Sequence, residues 1–120
     1  MACLGLDALA VWWQILLDPE SRALDGTGKR AAFALYYGPL HFLLLDAIAR
    51  ALVPDTRPGL VVDLGCGTGV AGAAIAARTT PPSRVVGFDT HPWTLDEARF
   101  TYTAFGLDGD VRRAPVGRVR

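Results

Sequence analysis

The sequence predicts an α/β domain built on a parallel sheet, and three observations carry that reading. Two short apolar runs, 60–64 and 84–89, are each followed by a helix-like stretch. A glycine-rich turn joins the first run to its helix. The composition is globular: 51% of residues are hydrophobic and 20% charged, which supplies a core and argues against disorder. A length of 120 residues suits one small domain.

The front of the chain, 1–54, reads as a helical cap. Residues 4–17 form an apolar helix ended by Asp18-Pro19. A second helix is expected over 22–37, interrupted by Gly26-Thr27-Gly28. Gly38-Pro39 then punctuates the chain, and Pro39 suits the first turn of a third helix running to about residue 53. Asp46 and Arg50, four apart, are expected on the wet side of that helix.

The back, 55–120, alternates. Residues 60–64 read as a buried parallel strand, because the run is apolar on both faces. Residues 70–78 are helical, with alanines that let the helix lie close to a sheet. Residues 84–89 form a second strand. A second helix spans 92–105, with Thr94-x-x-Glu97 resembling a capping box and Gly106 suited to the C-terminal cap. A third strand is expected over 110–116, weakened by Pro115.

Bulk properties exclude several classes. Net charge is zero, so no global field favours nucleic acid or an anionic membrane. All twelve acids lie at or before Asp110, and Arg112, Arg113, Arg118 and Arg120 follow it; such a tail reads as a solvated end. Cys3 and Cys66 give neither a disulfide framework nor metal spacing, which fits a reducing compartment. The apolar segment 8–17 lacks a basic leader before Arg22 and is too short to span a bilayer. A cytoplasmic protein without a membrane partner or a metal is expected.

The chemistry concentrates in Asp63-Leu64-Gly65-Cys66-Gly67-Thr68-Gly69. A strand ends, the chain turns sharply and a helix begins. Glycines there permit positive φ and remove Cβ atoms that block a ligand's approach. The following helix aims N–H groups at the crevice. Open parallel sheets bind ligands at the carboxyl ends of their strands. Asp63 stands two residues before the first glycine, and Asp89 ends the second strand, twenty residues after Gly69. An acid at that place accepts hydrogen bonds from ribose hydroxyls. Taken alone, Asp63 also reads as a solvated strand end and Asp89 as a helix cap. Gly67-Thr68-Gly69-Val70-Ala71-Gly72 also matches the dinucleotide pattern, so an NAD-binding oxidoreductase is a rival reading. Asp63 and Gly65 are surplus to that pattern.

The motif from Asp63 to Gly69, with Gly87-Phe88-Asp89-Thr90, resembles motif I and the acidic motif of class I S-adenosylmethionine-dependent methyltransferases. The resemblance covers about residues 55–110. It implies a Rossmann-like sheet, here only strands 1–3, with S-adenosylmethionine as cofactor. By the same resemblance Gly65, Cys66, Gly67 and Gly69 approach the methionine and ribose, and Asp63 lies near the methionine amino group. Asp89 holds the ribose hydroxyls, while Thr90 and His91 flank the adenine. The stretch 91–107 also resembles, more loosely, methyltransferases linked to the mitochondrial small ribosomal subunit.

Other residues read more blandly. Trp93, His41, Tyr36-Tyr37, Trp12 and Trp13 are taken as packing or turn residues, and Cys66 as a small loop residue rather than a nucleophile. No catalytic residue is assignable. The fourth strand of the family's sheet, which pairs with the first, has no counterpart, so the chain reads as a truncated domain whose first strand is an open edge. Completion by a second copy or partner chain is one alternative. A non-catalytic binding module is another. The methyl acceptor (small molecule, protein or rRNA) is left open, and no acid follows the third strand to bind the adenine amine.

Overall fold

A computed structural model describes residues 24–52 and 58–119. They fall into two units, one ending at Phe33 and one beginning at Ala34. The helix expected over 4–17 lies outside the described residues.

In the first unit, α1 (Thr27–Ala32) opens on Gly26, whose φ of 84° is a conformation glycine adopts freely. The glycine pair therefore starts a helix here rather than interrupting one. Arg30 Nε donates to the Leu24 carbonyl at 2.8 Å and ties this turn.

Phe33–Tyr37 winds as a π-helix, and α2 (Gly38–Leu52) follows without a break. The third helix begins at Gly38 with Pro39 in its first turn, as expected, but the chain enters it from a π-helix rather than from a break. Pro39 has no N–H to return to the preceding turn, and its ring crowds the carbonyl four residues back. The wider π turn immediately before it relieves that crowding. By length and composition alone, the helical run Thr27–Ala51 is long and apolar enough to cross a membrane.

In the second unit β1 (Leu60–Leu64), β2 (Arg84–Asp89) and β3 (Gly109–Arg113) form a parallel sheet in the order β1-β2-β3. The crossovers are α3 (Val70–Ala76) and α4 (Pro92–Ala104). Two successive crossovers of the usual right hand, moving in one direction, place both helices on one face. Val61 and Val85, paired in register, are buried there with Ala73, Ala98 and Tyr102. On the other face Leu60, Val62 and Leu64 are 51%, 49% and 50% exposed. The apolar run of β1 predicts burial on both faces, but the described residues cover one, and β1 is an edge strand among them. β3 is shorter than expected, because Pro115 cannot donate into the ladder and a 3₁₀ turn (Val116–Arg118) follows.

α2 packs on the helical layer with the expected Asp46–Arg50 pair at the edge of the contact, Arg50 exposed as expected and Asp46 turned toward the layer. Phe42 stacks on Phe105 with ring centroids 4.8 Å apart, and Ala49 is buried. Asp46 bonds Arg50 at 2.7 Å and also Arg78 at 3.0 Å, so the acid lies on the packed side. Those two hydrogen bonds hold its carboxyl below the usual range. Leu40, Leu43, Leu44 and Ile48 are left exposed instead. Arg78, just beyond α3, is what the local spacing of Asp46 and Arg50 cannot show.

Tyr102 is the keystone of the core. Its ring is buried at 1% exposure in a space that three missing Cβ atoms create. A Cβ on Gly69, Gly87 or Gly109 would approach Tyr102 atoms at 2.9, 2.6 and 2.6 Å respectively. Among the described residues its hydroxyl makes no well-formed hydrogen bond, with only the weakly bonding Cys66 thiol beside it. Removing an unsatisfied buried group restores what its desolvation costs, so Tyr102→Phe is expected to hold stability or raise it by up to about 1 kcal/mol. Urea unfolding checks this; a loss above that size would show that the hydroxyl has a partner.

Candidate functional site

The glycine loop hangs from the carboxyl end of β2. Gly65 N–H and Cys66 N–H both donate to the Phe88 carbonyl, at 2.8 and 2.9 Å, and Gly69 N–H closes a turn onto Cys66 O at 2.7 Å. Turning from strand to helix in so few residues needs left-handed backbone. Gly65, Gly67 and Gly69 have φ of 72°, 52° and 77°. The three differ in what their missing side chains leave free. A Cβ on Gly65 would point into open space, as an approach route for a ligand requires. A Cβ on Gly69 would strike Ala98 and Tyr102 of α4, so that glycine serves the packing of the loop on α4.

Two carboxylates bracket the loop. Asp89 accepts from Gly67 N–H on Oδ2 at 3.0 Å, and from Thr90 N–H and His91 N–H on Oδ1 at 2.7 and 3.0 Å. It therefore fixes both the loop and the turn that follows β2. Asp63 Oδ2 accepts from Gly72 N–H at 2.8 Å, in the first turn of α3. Gly72 is small for this reason: a Cβ there would sit 3.0 Å from that oxygen and 2.8 Å from Val85. Burial raises the Asp63 pKa above the ordinary 3.8; the Gly72 N–H opposes the shift and the charge of Asp89 adds to it.

The sign of that shift has consequences. A carboxyl whose folded pKa is raised holds its proton longer in the folded state, so its ionisation lowers stability as pH climbs from 3.8 through the raised value. Above the raised value the penalty is fully present, and a cationic group placed beside Asp63 offsets it. Asp63→Asn is therefore expected to match or exceed the parent in stability at pH 7, with the difference vanishing in acid below the ordinary value. Thermal melts across pH check this; a variant less stable at pH 7 would contradict it.

The remaining expected residues lie in the same crevice with divided duties. The Cys66 side chain is buried in the core beside Tyr102, and its Sγ donates weakly to Gly67 O at 3.8 Å. Burial, with the charges of Asp63 and Asp89, pushes its thiol up to about 12, so it is inert at neutral pH. His91 is the N-cap of α4, with Nδ1 accepting from Trp93 N–H at 3.2 Å. The expected capping box at Thr94 is displaced three residues. Pro92 opens the helix, and Thr94 Oγ1 instead donates back to His91 O at 2.7 Å. Thr90 is exposed, and its carbonyl accepts from Arg113 Nε at 3.0 Å.

The sequence reading passed over Tyr102 and Arg113 as site residues. Glycine inside a strand, at Gly87, is the signal that another group approaches the backbone closely there. An apolar groove of about 450 Å³ reaches the loop at Thr68 and Val70 from between α2 and α4, with Phe42, Phe100 and Phe105 in its walls.

Residues 61–119 match the protein family described as Methyltransferase domain. Ribosomal RNA small subunit methyltransferase C of Pseudomonas putida (strain GB-1) is 34% identical over 113 residues, covering 82% of this chain and 34% of that protein. The same-named protein of Pseudomonas aeruginosa (strain LESB58) is 43% identical with equal coverage. Trans-aconitate 2-methyltransferase of Methylobacterium radiotolerans is 51% identical over 49 residues, covering 41% of this chain and 18% of that protein. The chain thus spans about a third of the length of the Pseudomonas relatives. Its fold resembles that of Pyrococcus abyssi tRNA (uracil-54, C5)-methyltransferase, solved with S-adenosyl-L-homocysteine. The TM-score is 0.53 at 23% identity, over 66% of this chain and 19% of that one. The glycine loop, an acid on each flanking strand and all of the parallel β1-β2-β3 sheet but Leu60 lie within residues 61–119, and that stretch of the chain is a methyltransferase domain.

Proposed function

We propose that this chain is the cofactor-binding portion of an S-adenosylmethionine-dependent methyltransferase. The observation that carries the reading is the pair Asp63 and Asp89 on neighbouring parallel strands, bracketing a loop tied to Asp89 through Gly67 N–H at 3.0 Å. The residues fit the cofactor's chemistry. Asp63 is a partly desolvated carboxylate that gains from a cation, which suits a methionine amino group. Asp89 lies in the crevice with acceptor capacity for hydroxyls, and the Gly65 side of the loop is open. When bound, S-adenosylmethionine supplies a methyl carbon activated by its sulfonium. These residues hold that donor in one orientation, which is the main protein contribution to an in-line displacement.

For the acceptor, the names of the Pseudomonas relatives favour RNA of the small ribosomal subunit. A small-molecule acceptor is the second reading, favoured by the apolar groove that meets the loop at Thr68. A protein acceptor has no observation in its favour. The same relatives support a cytoplasmic setting. The contacts of Phe42 and Asp46 with the α/β unit support α2 as part of that unit rather than a membrane anchor. The half-exposed face and free edge of β1 support completion of the sheet by further strands, from this protein or a partner.

Calorimetric titration of the folded chain with S-adenosylhomocysteine, and separately with NAD, tests the reading. Binding of the first alone is expected. Binding of NAD alone would replace the reading by a dinucleotide-binding one, and binding of neither would remove the cofactor role from this chain.

A further inference from the structure

Glu97, the expected partner of Thr94 in a capping box, has no cap to serve. With His91 as the N-cap of α4, the third helical residue is Thr94, and Glu97 stands a turn too late to reach back. It lines the apolar groove between α2 and α4 instead, and among the described residues of that lining it alone carries a charge. It is half-buried, and among the described residues it has neither a hydrogen bond nor an ion pair. A carboxylate set in such a wall gives up hydration and gains no partner in return.

The rest of the wall is apolar and aromatic. Phe42 and Phe105 stack on each other at 4.8 Å and form one part of it. Phe100 and Leu43 are 71% and 65% exposed, so theirs is the surface a ligand would cover. Contiguous apolar surface of this kind marks binding sites, and a volume of about 450 Å³ suits a small molecule.

We propose that this groove binds an organic cation, an ammonium group carried on an apolar or aromatic body. The ammonium pairs with Glu97 and the body covers Phe100 and Leu43. Charge complementarity selects this occupant. A neutral body would desolvate the carboxylate further without pairing it, and an anion would be repelled. An ammonium brings N–H donors and the opposite charge, and the ring faces attract it as well. Asp63 and Asp89 do not line the groove, so the inference goes beyond the cofactor reading.

NMR titration of the full chain at neutral pH with phenylbutylammonium, phenylbutanol and phenylbutyrate tests this, because the three share one body and differ in charge. The ammonium is expected to bind about tenfold more tightly than the alcohol, the size of one charge-assisted hydrogen bond, and the carboxylate more weakly still. Glu97→Gln is expected to bring the ammonium down to the level of the alcohol. Phe100→Ala is expected to weaken both by about fivefold through lost apolar contact. Thermal melts verify that the variants fold. Equal affinities of the parent for all three ligands would overturn the proposal. So would no binding of the ammonium, with a second copy or another segment holding the groove. A preference kept in Glu97→Gln but lost in Asp63→Asn would place the cation at Asp63 and overturn it too. Titration with S-adenosylhomocysteine is a separate result, so either reading can fail while the other stands.

Discussion

Asp89→Ala is expected to weaken S-adenosylhomocysteine binding by about 3 kcal/mol, roughly 150-fold, through two lost hydrogen bonds from ribose hydroxyls to a charged acceptor. The structure adds a second reason for a large effect. Asp89 is also what holds Gly67, Thr90 and His91 in place, by three backbone N–H bonds of 2.7–3.0 Å. The variant loses the ligand's acceptor and the pre-organisation of the loop together, and restoring that order on binding adds to the cost. Asp89→Asn keeps one acceptor oxygen and is expected to fall between the two. Calorimetry measures the affinities, and a thermal melt separates weaker binding from a damaged fold. An affinity unchanged in the alanine variant would remove Asp89 from the ribose role.

Gly109→Ala should have the largest effect on stability. The new methyl would lie 2.6 Å from Tyr102 Cβ, 2.7 Å from Cδ2 and 2.8 Å from Cγ. These atoms sit at the root of a buried side chain on α4, so no rotamer change clears them. Either β3 or α4 must move, and both form the same core. Over-packing of this kind costs about 3 kcal/mol, which for a domain near this size lowers Tm by roughly 12–24 °C. Gly87→Ala is expected to cost less, because its clashes at 2.6 and 2.9 Å are with Tyr102 Oη and Cys66 Sγ, the far ends of side chains. Differential scanning calorimetry orders the two; a milder Gly109→Ala would mean that the strand end yields.

The parts of the site legible in the sequence are those whose cause is local. Asp63 to Gly69 is a strand end, a turn and a helix start within a few residues, and the left-handed φ values fall on the glycines. Pro92 and Gly106 likewise mark the ends of α4, with Gly106 at φ 65°. What escaped depends on groups distant in sequence. Three glycines at 69, 87 and 109 become one cavity only when α4 lays Tyr102 across them. The packed side of α2 is set by Arg78, thirty-two residues beyond Asp46. A second sheet face reads as buried in β1 because its residues are apolar, but the pattern does not name what covers it.

The inert thiol beneath the loop makes this chain its own reporter. Cys66 reacts with an alkylating agent only when the segment above it lifts and lets water ionise it. Its rate of modification, followed on its own peptide and apart from Cys3, therefore measures how often the loop opens. A ligand bridging Asp63 and Asp89 would slow that labelling, whether or not a methyl group is ever transferred.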